Sequence, residues 1–228
     1  MATLVSTMGA GYESTTKSQA RRMMSTDTPQ LYLITPPVID LGVFPSLLSR
    51  VLDAQEIACL RLSLAARDED TILRSADALR EIAHARDIPL VIEEHVLMVE
   101  RLGLDGVHLR EPAARIRKLR ESLGADAIIG AYCAQSRHDG MNAGEAGADY
   151  VSFGPLGASA LGDGQLAARD LFEWWSAMIE LPVVAEGALS RDLIEAFTPV
   201  TDFFAIGEEI WTADDPVAAL AALTAPLR

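Results

Sequence analysis

Residues 57–86 read IACLRLSLAARDEDTILRSADALREIAHAR. The first six are apolar but for Arg61, as in a buried strand. The stretch 68–86 then carries Ile72, Leu73, Ala76, Leu79, Ile82 and Ala83 on one helical stripe. One strand followed by one amphipathic helix is the unit of a parallel sheet with helical crossovers. The unit recurs in both directions along the chain. Short apolar runs fall at 31–35, 57–62, 89–93, 106–109, 127–131, 150–153, 182–186 and 202–206. Helical stretches lie at 44–52, 68–86, 113–123, 141–146, 171–179, 193–197 and 216–223. Eight strand runs in this rhythm predict a single closed (β/α)8 TIM barrel over 31–228. A doubly wound open sheet is the alternative, but no G-x-G-x-x-G follows the first run. Ser136, Ser190 and Asp214 are expected as helix N-caps.

Residues 1–30 stand apart. They are rich in Ser, Thr and Met, with Lys17, Arg21 and Arg22 and few acids. The expectation is a disordered N-terminal extension, or a true start at Met23 or Met24. A transit peptide is the alternative.

The whole chain has 228 residues, 33 acidic and 19 basic, for a net charge of −14. That acidity argues against nucleic acid and anionic membranes as partners, since phosphates repel such a surface. No apolar run approaches the roughly 20 residues of a membrane helix. Cys59 and Cys133 give neither a disulfide framework nor a zinc cluster and read as small buried side chains. The expected setting is cytoplasmic.

In such a barrel, chemistry sits at the carboxyl ends of the strands. Strand alternation puts Cys59, Arg61 and Ser63 on one face and Leu60, Leu62 and Leu64 on the other. The leucines should meet helices, so Arg61 should point into the barrel. A buried guanidinium needs a carboxylate, and Glu93, Glu186 and Glu208 are the candidates. Arg61, Glu93 and Glu186 are therefore read as the catalytic centre. Glu94, His108, Arg110, Tyr132, Ser152, Gly154, Gly187, Gly207 and Glu208 are read as ligand-binding. An internal ion-pair network with no ligand is the competing reading. The small-residue stretch 157–164 after the sixth run is either a lid or an ordinary connection.

Several segments resemble thiamine phosphate synthases and the related TenI-type thiazole tautomerases. Leu31-Tyr-Leu-Ile-Thr35 resembles their opening strand. Leu104-Asp-Gly-Val-His-Leu109 resembles "DGVHL", and Ala127-Ile-Ile-Gly130 resembles "IIG". Gly147-Ala-Asp-Tyr-Val-Ser-Phe-Gly-Pro155 resembles "GADYVxFGP". Pro182-Val-Val-Ala185 and Thr201-Asp-Phe-Phe-Ala205 resemble the seventh and eighth strands. The resemblance runs from Leu31 to about Ala222 and implies a (β/α)8 barrel, a small-molecule ligand and a homo-oligomer of undetermined number. The synthases join a pyrimidine methyl diphosphate to a thiazole phosphate, with basic side chains and Mg²⁺ around the leaving diphosphate.

At the motif positions the chain departs from that pattern. The family's Q-x-R-x-K becomes Cys59, Arg61 and Ser63, and its Asn-Asp becomes Glu93-Glu94, with Leu97 near the later acidic site. Its G-Q-x-D becomes Arg110, Glu111, Pro112 and Ala113. Its Pro-Thr-x-Thr-Lys loop becomes Leu156-Gly-Ala-Ser-Ala-Leu161, its Gly-Gly site Glu186-Gly187-Ala188, and the Ser after the eighth strand Glu208. Carboxylates replace phosphate-cradling residues, and a carboxylate beside a phosphate repels it unless a cation intervenes. The expectation is a divergent relative that binds or transforms a small polar heterocycle. An active synthase, with Glu93 and Glu94 holding Mg²⁺, is one alternative. A non-catalytic regulator or scaffold is the other.

Overall fold

Each apolar run is buried on both faces, which favours parallel pairing flanked by helices. The computed structural model, which describes residues 28–110 and 115–228, contains this arrangement. The strands are β1 (Gln30–Ile34), β2 (Ile57–Leu62), β3 (Leu90–Glu93), β4 (Gly106–Leu109), β5 (Ile128–Tyr132), β6 (Tyr150–Phe153), β7 (Val183–Glu186) and β8 (Phe203–Ile206). Each pairs in parallel with the next, and β8 returns to β1, closing the barrel. The expected (β/α)8 class is the observed one. The expected extension falls almost wholly outside the described residues. Among the described residues, no helix is long and apolar enough to cross a membrane.

The helices are α1 (Phe44–Ala54), α2 (Glu69–His84), α3 (Leu97–Leu102), α4 (Ile116–Leu123), α5 (Arg137–Ala146), α6 (Arg169–Met178), α7 (Arg191–Phe197), α8 (Glu208–Trp211) and α9 (Pro216–Leu223). Ser136 caps α5 by accepting from the Asp139 amide, and Ser190 caps α7 by accepting from Leu193. α9 is capped by Asp215, which accepts from the Val217 and Ala218 amides, and not by Asp214. Pro216 follows at the first helical position, so its neighbour is the residue in capping geometry.

The alternation read from β2 holds in space. Leu60 and Leu62 face outward into the shell between sheet and helices, with Leu48, Leu79 and Leu90. Burying each such side chain contributes about 1.5–3 kcal/mol. Cys59 faces inward and packs with Tyr32, Val91, Tyr150, Val184, Phe203 and Ala205 in a separate core inside the barrel. Burial pushes both thiols up to about 12. They are packing groups, as expected.

One glycine shapes this interior. A Cβ on Gly130 would lie 2.1 Å from the Tyr150 ring. Its absence lets Tyr150 cross the lumen to meet Tyr32 and His108. The β1/β8 seam is bound from outside. The Trp211 indole donates to the Ile34 carbonyl at 2.6 Å, and its ring meets Phe44 edge-on.

Candidate active site

β2 delivers Arg61 to the upper lumen, where the residue is only 4% exposed. Its Nη2 donates to Glu186 Oε2, from the end of β7, and Glu186 is 1% exposed. Arg61 Nε lies 3.8 Å from Glu93 Oε2 and is buried without a hydrogen-bond partner. Burial favours loss of the Arg61 proton, but Glu186, Tyr32, Glu93 and Tyr150 together outweigh it and hold the guanidinium firmly charged. Ser152 Oγ donates to the other Glu186 oxygen at 2.7 Å. Both Glu186 oxygens are thus occupied, as a buried carboxylate requires.

Below this pair runs a chain of rings. Tyr32 and Tyr150 share a hydrogen bond of 2.7 Å, and Tyr150 reaches His108 Nδ1 at 3.0 Å. The Arg61 guanidinium lies over the Tyr32 ring, 5.6 Å from its centre. Burial, then the charges of Arg61 and Arg110, holds His108 well below the usual imidazole range, so it is neutral at pH 7. Burial likewise raises Tyr32 and Tyr150 well above the usual phenol value.

The rim is built from the ends of β3 and β4. Glu93 Oε1 accepts from Arg110 Nε. Glu94 has left-handed backbone geometry, φ 62°. It accepts from the Arg110 amide at 2.6 Å through one oxygen and from Arg115 Nη1 through the other. Across the mouth, Tyr132 donates to the Gly154 carbonyl at 2.8 Å. Gly154 is linked to Pro155 by a cis peptide. The residues after β6 are tied down: Leu156 and Gly157 donate to the Gly187 carbonyl, each at 3.0 Å. Gly187 takes φ 92°, and a Cβ there would meet Pro155 at 2.8 Å. The stretch 157–164 is therefore anchored at its base.

Arg61, Glu93, Glu186, Ser152 and Arg110 come together at one mouth, with His108 and Tyr132 beside them. Glu94 joins through Arg110. Glu208 does not reach Arg61: it is exposed at the start of α8. Glu209 is the residue that braces this corner, accepting from the Gly207 amide at 2.7 Å and the Leu189 amide at 2.9 Å. Sequence reasoning missed Glu209 and Arg115. The signal for Arg115 was a cation a few residues beyond the strand, within reach of Glu94.

Mg²⁺ is the cofactor that the resemblance implies, with Glu93 and Glu94 to hold it. Three of their four oxygens accept from arginine groups, and the fourth faces Arg61. Among the described residues no three His, Cys, Asp or Glu converge as a cation site. As arranged, these carboxylates do not fit a resident divalent cation.

A family model described as thiamine monophosphate synthase matches residues 31–201. The chain belongs to this family. It is 36% identical over 195 residues to the thiamine-phosphate synthase of Rhodospirillum centenum, covering 84% of this chain and 94% of that one. It is 39% identical over 207 residues to that of Erythrobacter litoralis, covering 86% and 95%. The thiamine phosphate pyrophosphorylase structure from Pyrococcus furiosus superposes with a TM-score of 0.72 at 21% identity, covering 87% of this chain and 95% of that one. These relatives correct the expectation of a chain whose chemistry has left the family. The physical reason is visible at the mouth. Glu93, Glu94 and Glu186 were read as added negative charge, but each is matched by Arg110, Arg115 or Arg61.

Proposed function

We propose that this chain is a thiamine-phosphate synthase, joining a pyrimidine methyl diphosphate to a thiazole phosphate at the carboxyl ends of the strands. The observation that carries this reading is the likeness, at 36% and 39% identity over nearly their full lengths, to two proteins of that name. In this chemistry diphosphate leaves the pyrimidine methyl group, and the thiazole nitrogen captures the carbocation.

The mouth supports the reading through Arg61. A guanidinium carries five N–H donors, and the buried Nε has no partner among the described residues. An incoming anionic oxygen would satisfy that donor and gain a charge-assisted bond. A cation fixed beforehand by Glu186 and Glu93 needs little reorganisation as charge develops on the leaving group. Glu186 and Glu93 are positioning residues in this scheme, with Ser152 fixing Glu186. Under this reading, ligand contacts fall to Arg110, Tyr132, Gly154, Gly187 and Gly207 at the strand ends, with the buried, neutral His108 in the lumen. The enzyme would act on small molecules in the cytoplasm.

Purified protein given both phosphorylated substrates is expected to form thiamine phosphate. Saturable binding without product would overturn the reading in favour of a regulator.

A further inference from the structure

The geometry points to Arg110 and Arg115 as a direct diphosphate grip, with Glu93 and Glu94 as their struts and not as metal ligands. The proposal deepens the synthase reading, because diphosphate is that reaction's leaving group. Four observations carry it.

The carboxylates are committed. Glu94 gives one oxygen to the Arg110 amide and the other to Arg115 Nη1. Glu93 gives Oε1 to Arg110 Nε, and its Oε2 faces Arg61. A divalent cation prefers free carboxylate oxygens and would have to displace these donors.

The arginines are not fully committed. Arg110 uses only Nε, and Arg115 only Nη1, among the described residues. Their side chains are 55% and 44% exposed. Each keeps N–H groups that nothing among the described residues occupies, and a guanidinium edge suits two phosphate oxygens at once.

The backbone is held for this purpose. Glu94 sits at φ 62°, which a residue with a Cβ rarely adopts. The Glu94 amide donates to the His108 carbonyl at 3.0 Å, so β3 and β4 fix the turn. This conformation brings one carboxylate to both the Arg110 amide and the Arg115 side chain.

The position fits as well. Arg110 shares Glu93 with Arg61. An anion touching Arg110 at the rim therefore lies beside the buried cation assigned to the reacting end.

The test is calorimetric titration of the full chain with inorganic diphosphate, in excess chelator and in excess Mg²⁺. Diphosphate is expected to bind in chelator, with affinities in the two conditions within about threefold. Arg110→Ala and Arg115→Ala are each expected to weaken binding about tenfold in chelator. Arg110→Lys should recover only part, since it keeps charge without the fork. Arg115 is on the surface, so its variant controls for folding failure. Binding that requires Mg²⁺, binding unchanged in both alanine variants, or no binding in either condition would overturn the proposal. Titration needs no turnover, so the two readings fail separately. A chain that grips diphosphate without making product loses the synthase reading alone. A chain that turns over with Arg110 and Arg115 irrelevant to binding loses this one alone.

Discussion

The two ends of the barrel give their carboxylates different main partners: strand amides at one, joined at Asp149 by Arg120, and chiefly guanidiniums at the other. At the amino-terminal end, Asp105 accepts from the Leu90 amide at 2.7 Å, Asp149 from Ile129 at 2.7 Å and Asp202 from Val183 at 2.8 Å. Each precedes an even-numbered strand and reaches back to the strand before it. Main-chain amides are fixed donors, so these carboxylates tie strand to strand. At the carboxyl end, Glu93, Glu94 and Glu186 meet guanidiniums, which retain further donors. A recess of about 1590 Å³ opens at the amino-terminal end, bordered by Asp53, Asp105 and Asp149. Size therefore does not mark the reactive end; the buried Arg61, with its Nε unpartnered among the described residues, does.

The comparison is broken most severely at Arg61. Arg61→Met leaves Glu186 buried without its cation and is expected to cost about 3–5 kcal/mol in urea unfolding. Turnover should fall by about 100-fold or more. Pairing it with Glu186→Met should restore most of the stability and none of the turnover. Restored turnover would show that the pair is only a brace.

Asp149→Ala tests the other end. It orphans the Ile129 amide and releases Arg120. A loss of about 1–3 kcal/mol is expected, with kcat and KM unchanged in the protein that remains folded. A changed KM would erase the distinction between the ends. Asp215→Ala separates the partner from the place. Asp215 caps α9 through main-chain amides, with the exposed Arg50 guanidinium 4.0 Å away. About 1 kcal/mol should be lost in thermal unfolding, with no change in turnover.

The smallest effect is a pH slope. His108 is held below its ordinary value of about 6.5 in the folded chain. Below that pH the unfolded chain takes up a proton that the folded chain refuses, so stability falls with acid. The stability advantage of wild type over His108→Gln should therefore shrink between about pH 7.5 and 5.5. Thermal unfolding in matched buffers measures it, and a constant difference would mean that the folded imidazole takes up its proton as the unfolded one does.

The strands were legible to within a residue or so, because runs buried on both faces stay apolar throughout. Arg61 was legible for the same reason: Leu60 and Leu62 claimed the helix side. α3 and α8 were not legible, being only six and four residues long. Too little of a helical period fits in either. The charge of the mouth was misread because acids on strands are easily counted, whereas Arg115 comes from beyond the strand that places Glu94. Glu208 and Glu209 are adjacent, and only the local turn decides which one braces Gly207.

The seam closed by Trp211 has a consequence for synthesis. β1 emerges first, yet one of its edges waits for β8, some 170 residues later. Until then a nascent sheet carries two open edges, on β1 and on the last strand made. Open edges invite pairing with other chains. Arg61 waits 125 residues for Glu186. A chain stalled before Phe203 would combine exposed edges with an unclosed lumen, making it a ready client for chaperones and proteases.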